Sequence, residues 1–137
     1  MQTNIYLFFN GQCEAAFKFY EKALGGKIES MMTYEGTPAA EQMPPDARKK
    51  ILHASMTVGD TVLMASDAPP NRFERPQGFS VSLGVDSAAE AERIFKALSE
   101  KATVKMPMEK TFFAERFGML ADKFGIPWMV IYRKNPA

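Results

Sequence analysis

His53 is the only histidine in a chain of 137 residues, and imidazole is the side chain whose proton exchange falls nearest neutral pH. Alternation along "ILHASMTVGDTVLMAS" places it on the same side of a hairpin as Ser55 and Ser66. There it serves either as a general acid or base or as a hydrogen-bonded ring at the rim of a site. No Asp or Glu at matching spacing orients it, and one histidine without neighbouring carboxylates does not make a zinc site. Arg116 carries a planar guanidinium that could clamp a carboxylate or phosphate, with Glu115 and Glu109 as competing partners. Ser80 and Ser82 could position a polar group of a ligand. Cys13, the single cysteine, has no partner for an internal disulfide, and its place on an apolar helix face reads as a buried, inert thiol. Ten methionines, Met64 and Met129 among them, supply adaptable thioethers that fill cores or line apolar cavities.

Several classes of function are disfavoured by composition. Lys plus Arg is 17 against 16 for Asp plus Glu, without a run of either sign that would suggest nucleic acid or a membrane surface. No segment is apolar enough to span a bilayer, and "MQTNIYLFFNG" lacks the basic and long apolar regions of a leader, so a soluble cytoplasmic protein is expected. Nothing in the sequence resembles a phosphate-binding loop, an exposed catalytic triad or an HExxH pattern.

The elements that must hold these residues come in two copies. "NIYLFF" (4–9) reads as a strand, followed by a helix from Gln12 to Leu24 whose Cys13, Ala16, Phe17, Tyr20 and Leu24 share one face before Gly25-Gly26 stops it. "FSVSLGV" (79–85) reads the same way, followed by a helix opened by the Ser87/Glu90 capping box, with Ala91, Ile94, Phe95 and Leu98 inward. Each helix leads into a strand, "KIESMMTY" (27–34) or "ATVKMPM" (102–108), then a loop, then a hairpin. The unit is β-α-β-β-β, twice, at about 4–67 and 78–133, with Ile5 matched to Ser80.

A two-residue turn sets hairpin register. With Gly59-Asp60 as the turn, Leu52, Ala54, Met56, Leu63 and Ala65 face the helix, and His53, Ser55, Thr57, Val62, Met64 and Ser66 face away. A matching Phe124-Gly125 turn puts Phe117, Met119, Ala121, Trp128 and Val130 under the second helix and Arg116, Gly118, Leu120, Met129 and Ile131 opposite. On the first strands, Tyr6 and Phe8, and Val81, Leu83 and Val85, are expected under the helices. That leaves Ile5, Leu7, Phe9, Ser80, Ser82 and Gly84 on the far side, a mixed apolar and polar face that is either a wet exterior or the wall of a binding cavity. Trp128 is expected in the core, while Phe112 and Phe113 lid the cavity or pack in the core.

"YLFFNG", "FYEKALGG", "HASMTVGDTVLMASDAPP", "GFSVSLGV" and "RFGMLADKFGIPWM" together resemble the PhnB-like branch of the vicinal oxygen chelate superfamily, the branch often labelled 3-demethylubiquinone-9 3-methyltransferase-like. The resemblance spans about residues 4–133. It implies an α+β fold in which two βαβββ modules build an eight-stranded cup with helices outside, the glyoxalase/bleomycin-resistance fold, as a single domain over 1–137. It implies a homodimer, with Phe73, Phe112 and Phe113 at a lip covered by a second chain. The Pro-rich loops "EGTPAAEQMPPDAR" and "SDAPPNRFERPQG" then lie over the cup or the dimer edge. Metal-dependent members hold a divalent ion at positions occupied here by Ile5, Met64, Ser80 and Met129, none a normal ligand for such an ion. No metal or other cofactor is therefore expected. Adenosylmethionine chemistry is disfavoured too, because no glycine-rich strand-to-helix turn of a parallel sheet occurs. The expectation is a small-molecule binding protein with His53, Ser55, Met64, Ser80, Ser82, Arg116 and Met129 at its site; the alternative is a lyase or isomerase using His53 as acid or base on a small oxygenated metabolite.

Overall fold

The computed structural model describes residues 1–134. The chain divides into two compact units, Met1–Glu74 and Arg75 onward, each a four-stranded mixed sheet with one long helix. The α+β class and the duplicated βαβββ unit expected from the repeat are both present. Among the described residues, no helix is long and apolar enough to cross a membrane.

In the first unit, β1 (Ile5–Phe9), α1 (Cys13–Leu24), β2 (Lys27–Thr33), β3 (Ile51–Val58) and β4 (Thr61–Asp67) assemble in the sheet order β1-β4-β3-β2. β1 runs parallel to β4, which a crossover through α1 permits; the other pairs are antiparallel. Helix α1 stops where Gly25 takes the left-handed conformation, φ 72°, and donates its N–H to Glu21 O. It buries Cys13, Ala16, Phe17, Tyr20 and Ala23 against Leu7, Phe9, Ala54, Met56, Leu63 and Ala65 of the sheet. Full burial of each large apolar side chain here is worth about 1.5–3 kcal/mol. Val58 pairs with Thr61 and Met56 with Leu63, so the Gly59-Asp60 turn and the two faces of this hairpin are as expected.

The faces of β1 are reversed from expectation. Ile5 pairs with Leu63 and Leu7 with Ala65, so Leu7 and Phe9 lie beneath α1 while Tyr6 and Phe8 stand on the opposite, exposed face. The error arises in the repeat alignment. Three residues, Asn10 to Gln12, join β1 to α1, but only Asp86 and Ser87 join the corresponding elements of the second unit. Matching the helices therefore slides the strands by one, and a slip of one inverts every side chain.

In the second unit, β5 (Val81–Val85), α2 (Ala88–Leu98), β6 (Thr103–Glu109), β7 (Arg116–Ala121) and β8 (Pro127–Tyr132) take the order β5-β8-β7-β6. The Ser87 half of the capping box forms, with Ser87 Oγ accepting from Glu90 N–H at 3.1 Å, while Glu90 Oε1 reaches one residue further back and accepts from Asp86 N–H at 3.1 Å. Trp128 and Val130 are buried as expected, and Val81 and Leu83 pair with them.

Strand β7 departs from expectation by one residue. Ala121 pairs with Pro127 and Leu120 with Trp128, so five residues, Asp122 to Ile126, make the turn. Arg116, Gly118 and Leu120 thus lie on the α2 side, and Phe117, Met119 and Ala121 on the open side. Gly118 packs so closely beneath α2 that a Cβ there would come within 2.6 Å of the Phe95 ring. The longer turn is built by Asp122, whose Oδ1 accepts from Phe124 N–H at 2.8 Å and Ile126 N–H at 3.0 Å. Its Oδ2 accepts from Trp128 Nε1–H at 2.8 Å, and Gly125 takes φ 91°. A side chain that satisfies its own turn in this way competes with the two-residue alternative.

Candidate functional site

Two central rows of side chains lie on the open face of the first sheet. Tyr6 pairs with Met64, Met64 with Ser55, and Ser55 with Ser30. In the next row Phe8 pairs with Ser66, and His53 with Met32. His53, Ser55 and Met64, anticipated as site residues, are thus brought together. Tyr6, Phe8, Ser30 and Met32 are additions, hidden from sequence reading by the reversed β1 and by register shifts in β2 beside residue 29 and between Met32 and Thr33.

Within this face the Tyr6 hydroxyl and His53 Nδ1 are 3.1 Å apart and share a hydrogen bond, either atom able to donate according to the imidazole tautomer. The phenol supplies the orienting partner that no carboxylate provides. Ser30 Oγ and Ser55 Oγ bond at 2.9 Å. The Tyr6 ring lies 5.1 Å from Phe8 and 5.7 Å from His53, centroid to centroid, within the range of favourable aromatic packing. Tyr6 and Phe8 on β1 are exposed by 37% and 54%, and Met32, at the opposite edge of the sheet on β2, by 55%, so apolar surface borders the polar centre of this face on both sides.

The second sheet presents a different open face. Ser82 pairs with Met129, Met129 with Met119, and Met119 with Met106, placing three thioethers in one row. Ser82 and Met129 are therefore neighbours as expected. Ser80 precedes β5 instead of lying within it. Arg116 is corrected: on the α2 side, its Nε donates to Glu92 Oε1 at 3.2 Å and its Nη1 to Glu115 O at 2.7 Å. Phe112 and Phe113 are not core; they are 100% and 42% exposed, on a loop where Thr111 Oγ1 accepts from the N–H groups of Phe113 and Ala114.

Asp67, 1% exposed, supports the first sheet from behind. Its Oδ1 accepts from Cys13 N–H and its Oδ2 from Ile51 N–H, both at 2.9 Å. Burial, and then the adjacent Asp67 and Glu14 carboxylates, push the Cys13 thiol up to about 12 from 9.0. Because the native state holds this proton more tightly than the unfolded chain, the associated stability is intact below pH 9 and is lost as pH rises from 9 towards 12. Native protein at pH 8 should accordingly react with a disulfide reagent only as fast as it opens, and unfolding in guanidinium should release the thiol at once. Rapid native labelling would contradict this. A polar hollow of about 300 Å³ beside the α1 N-terminus is lined by Glu14, Asp46, Lys49 and Lys50 among others, charges of mixed sign that define no single ligand.

Comparison with known proteins adds the following. The model of the family described as 3-demethylubiquinone-9 3-methyltransferase matches residues 2–131. The chain is 30% identical to Protein YjdN of Escherichia coli (strain K12) over 99% of both sequences. It is similar in structure to protein PA1353 from Pseudomonas aeruginosa, with TM-score 0.89 and 46% identity over 98% of this chain and 99% of that one. A putative 3-demethylubiquinone-9 3-methyltransferase, PhnB protein, from Bacillus cereus shares the fold at TM-score 0.82 and 22% identity, over 96% and 99%. So does a glyoxylase/bleomycin resistance protein/dioxygenase domain from Frankia sp. EAN1pec, at TM-score 0.66 and 12% identity over 97% of each chain.

Two groups implied by these similarities can be tested against the residues. For a divalent metal, the positions carried over from metal-binding members were Ile5, Met64, Ser80 and Met129. Register turns Ile5 towards α1, leaves Ser80 ahead of β5, and puts Tyr6 and Ser82 on the open faces beside Met64 and Met129. A phenol beside a thioether on the first open face, and a hydroxyl beside a thioether on the second, do not suit a hard divalent ion, and the described residues hold no group of three His, Cys, Asp or Glu arranged for one. For adenosylmethionine, a helix N-terminus after the first strand would be needed. Here Asp67 occupies the start of α1 and Ser87 the start of α2, so neither group fits.

Proposed function

Starting from a chain that belongs to the 3-demethylubiquinone-9 3-methyltransferase, or PhnB-like, family and has the glyoxalase/bleomycin-resistance fold, we propose a metal-free, homodimeric small-molecule binding protein. Residues 1–137 make one domain of this family. The reading is carried by the open face of the first sheet, where rings and thioethers alternate with a histidine–tyrosine pair and a serine pair. Such a wall offers apolar area for affinity and a few fixed polar atoms for orientation. Methyl transfer is set aside because both helix N-termini are engaged by the chain's own side chains.

A second reading is favoured by one observation, the 3.1 Å bond between Tyr6 and His53. An oriented imidazole could move a proton in a lyase or isomerase reaction on a small oxygenated metabolite.

Native mass spectrometry with elemental analysis, on protein purified without chelator, tests the proposal. A dimer of the 15.3 kDa chain free of stoichiometric divalent metal and carrying a small-mass adduct is expected. A monomer or one metal per chain would overturn it. Turnover of any such adduct that His53→Ala abolishes would shift the balance to the enzyme reading.

A further inference from the structure

The central rows of the first sheet's open face contain no Asp, Glu, Lys or Arg side chain. Tyr6, Met64, Ser55 and Ser30 fill one, and Phe8, Ser66, His53 and Met32 the other. Charge appears one row nearer the hairpin, where Lys27 pairs with Thr57 and Glu29 Oε1 accepts from Thr57 Oγ1 at 3.2 Å. An ionic ligand laid over the central rows would lose hydration without gaining a counter-charge. Three rings, Phe8, Tyr6 and His53, follow one another at centroid distances of 5.1 and 5.7 Å with tilts of 40° and 34°, a surface matched to a flat conjugated partner.

The polar atoms narrow the class further. Tyr6 engages His53 through Nδ1, so Nε2 is the nitrogen left to meet a ligand. A phenol can donate or accept, and the tautomer of the neutral imidazole follows it. Nε2 can then present a proton to a carbonyl or accept one from a hydroxyl.

Resting on the binding reading, we propose that this face takes an uncharged, flat, conjugated molecule bearing one phenolic hydroxyl or carbonyl oxygen. Its ring lies against Tyr6 and Phe8 and its oxygen meets His53 Nε2. Tyr6 is the positioning residue that sets the imidazole.

The experiment is a titration of wild type, Tyr6→Phe and His53→Ala with 2-naphthol, naphthalene, 2-naphthoate and 1-decanol at pH 7.5, followed by binding isotherms and by the ¹⁵N signals of the His53 ring. Far-UV circular dichroism verifies that both variants fold; each substitution is at an exposed or half-buried side chain. Wild type is expected to bind 2-naphthol about tenfold more tightly than naphthalene, the equivalent of one net hydrogen bond, and at least as much more tightly than 2-naphthoate. The His53 ¹⁵N signals should move with the first ligand only. Tyr6→Phe should keep the naphthalene affinity, move the free-state His53 signals, and erase most of the preference for 2-naphthol. Equal affinity for 2-naphthol and 2-naphthoate, or 2-naphthol binding with stationary His53 signals, would overturn the proposal. Binding of 1-decanol without 2-naphthol would overturn it and leave the broader binding reading standing, whereas failure of all four probes would count against both.

Discussion

Asp67→Ala is expected to lower the free energy of unfolding by about 3–5 kcal/mol, the range for removing one partner of buried charged hydrogen bonds. The carboxylate ties the first turn of α1, through Cys13 N–H, to the start of β3, through Ile51 N–H. Its main-chain oxygen accepts from Tyr34 Oη at 2.6 Å, bringing in the long β2–β3 loop as well. A negative charge at a helix N-terminus adds to the gain. Without it two buried N–H groups lose their acceptor. Against a total stability of about 5–15 kcal/mol, that is a large share of the margin, and the denaturation midpoint should fall accordingly. Asp67→Asn should rescue only partly, because one amide oxygen can serve one N–H while the amide nitrogen faces the other. Guanidinium denaturation measures the loss, and Cys13 provides a second readout: the Asp67 charge is the second cause of its raised pKa, so labelling should accelerate. A variant within 1 kcal/mol of wild type would remove Asp67 as the anchor of this unit.

For Asp122→Ala the expected loss is about 3 kcal/mol, from three hydrogen bonds to a nearly buried carboxylate. The consequence goes beyond stability. With the carboxylate gone, the five-residue turn loses its organising side-chain acceptor, and the register that places Met119 opposite Met129 is left to the strand ladder, the backbone bonds of the turn and side-chain packing. Trp128, 1% exposed, reports directly: its indole N–H loses its acceptor, and its fluorescence should shift to the red as water enters. Asp122→Asn should fall between, keeping the Oδ1 bonds but facing Nδ2 against the indole N–H. An unshifted Trp128 emission together with unchanged denaturation would show that the turn is held by its backbone bonds alone.

These two carboxylates also mark where sequence reasoning reached its range. The duplicated unit, both helices with the glycine stop of the first and the Ser87 cap of the second, the Gly59-Asp60 hairpin and the grouping of His53, Ser55 and Met64 were legible, because helical period, a left-handed glycine and a two-residue turn are local signals. The parity of β1 and β7 was not. It depends on one extra residue between Phe9 and Cys13 and on a turn that Asp122 organises by reaching past its nearest neighbours to Trp128.

What the sequence by itself determined is therefore the repeat, the elements and the inward faces of β3, β4, β5 and β8, whose alternation is set by residue type. Only the tertiary structure decided that Tyr6 meets His53 and that Arg116 turns away to Glu92. Strand pairing has a period of two, so a single residue of loop length, invisible to pattern, chooses which half of a strand's side chains faces the open side of the sheet.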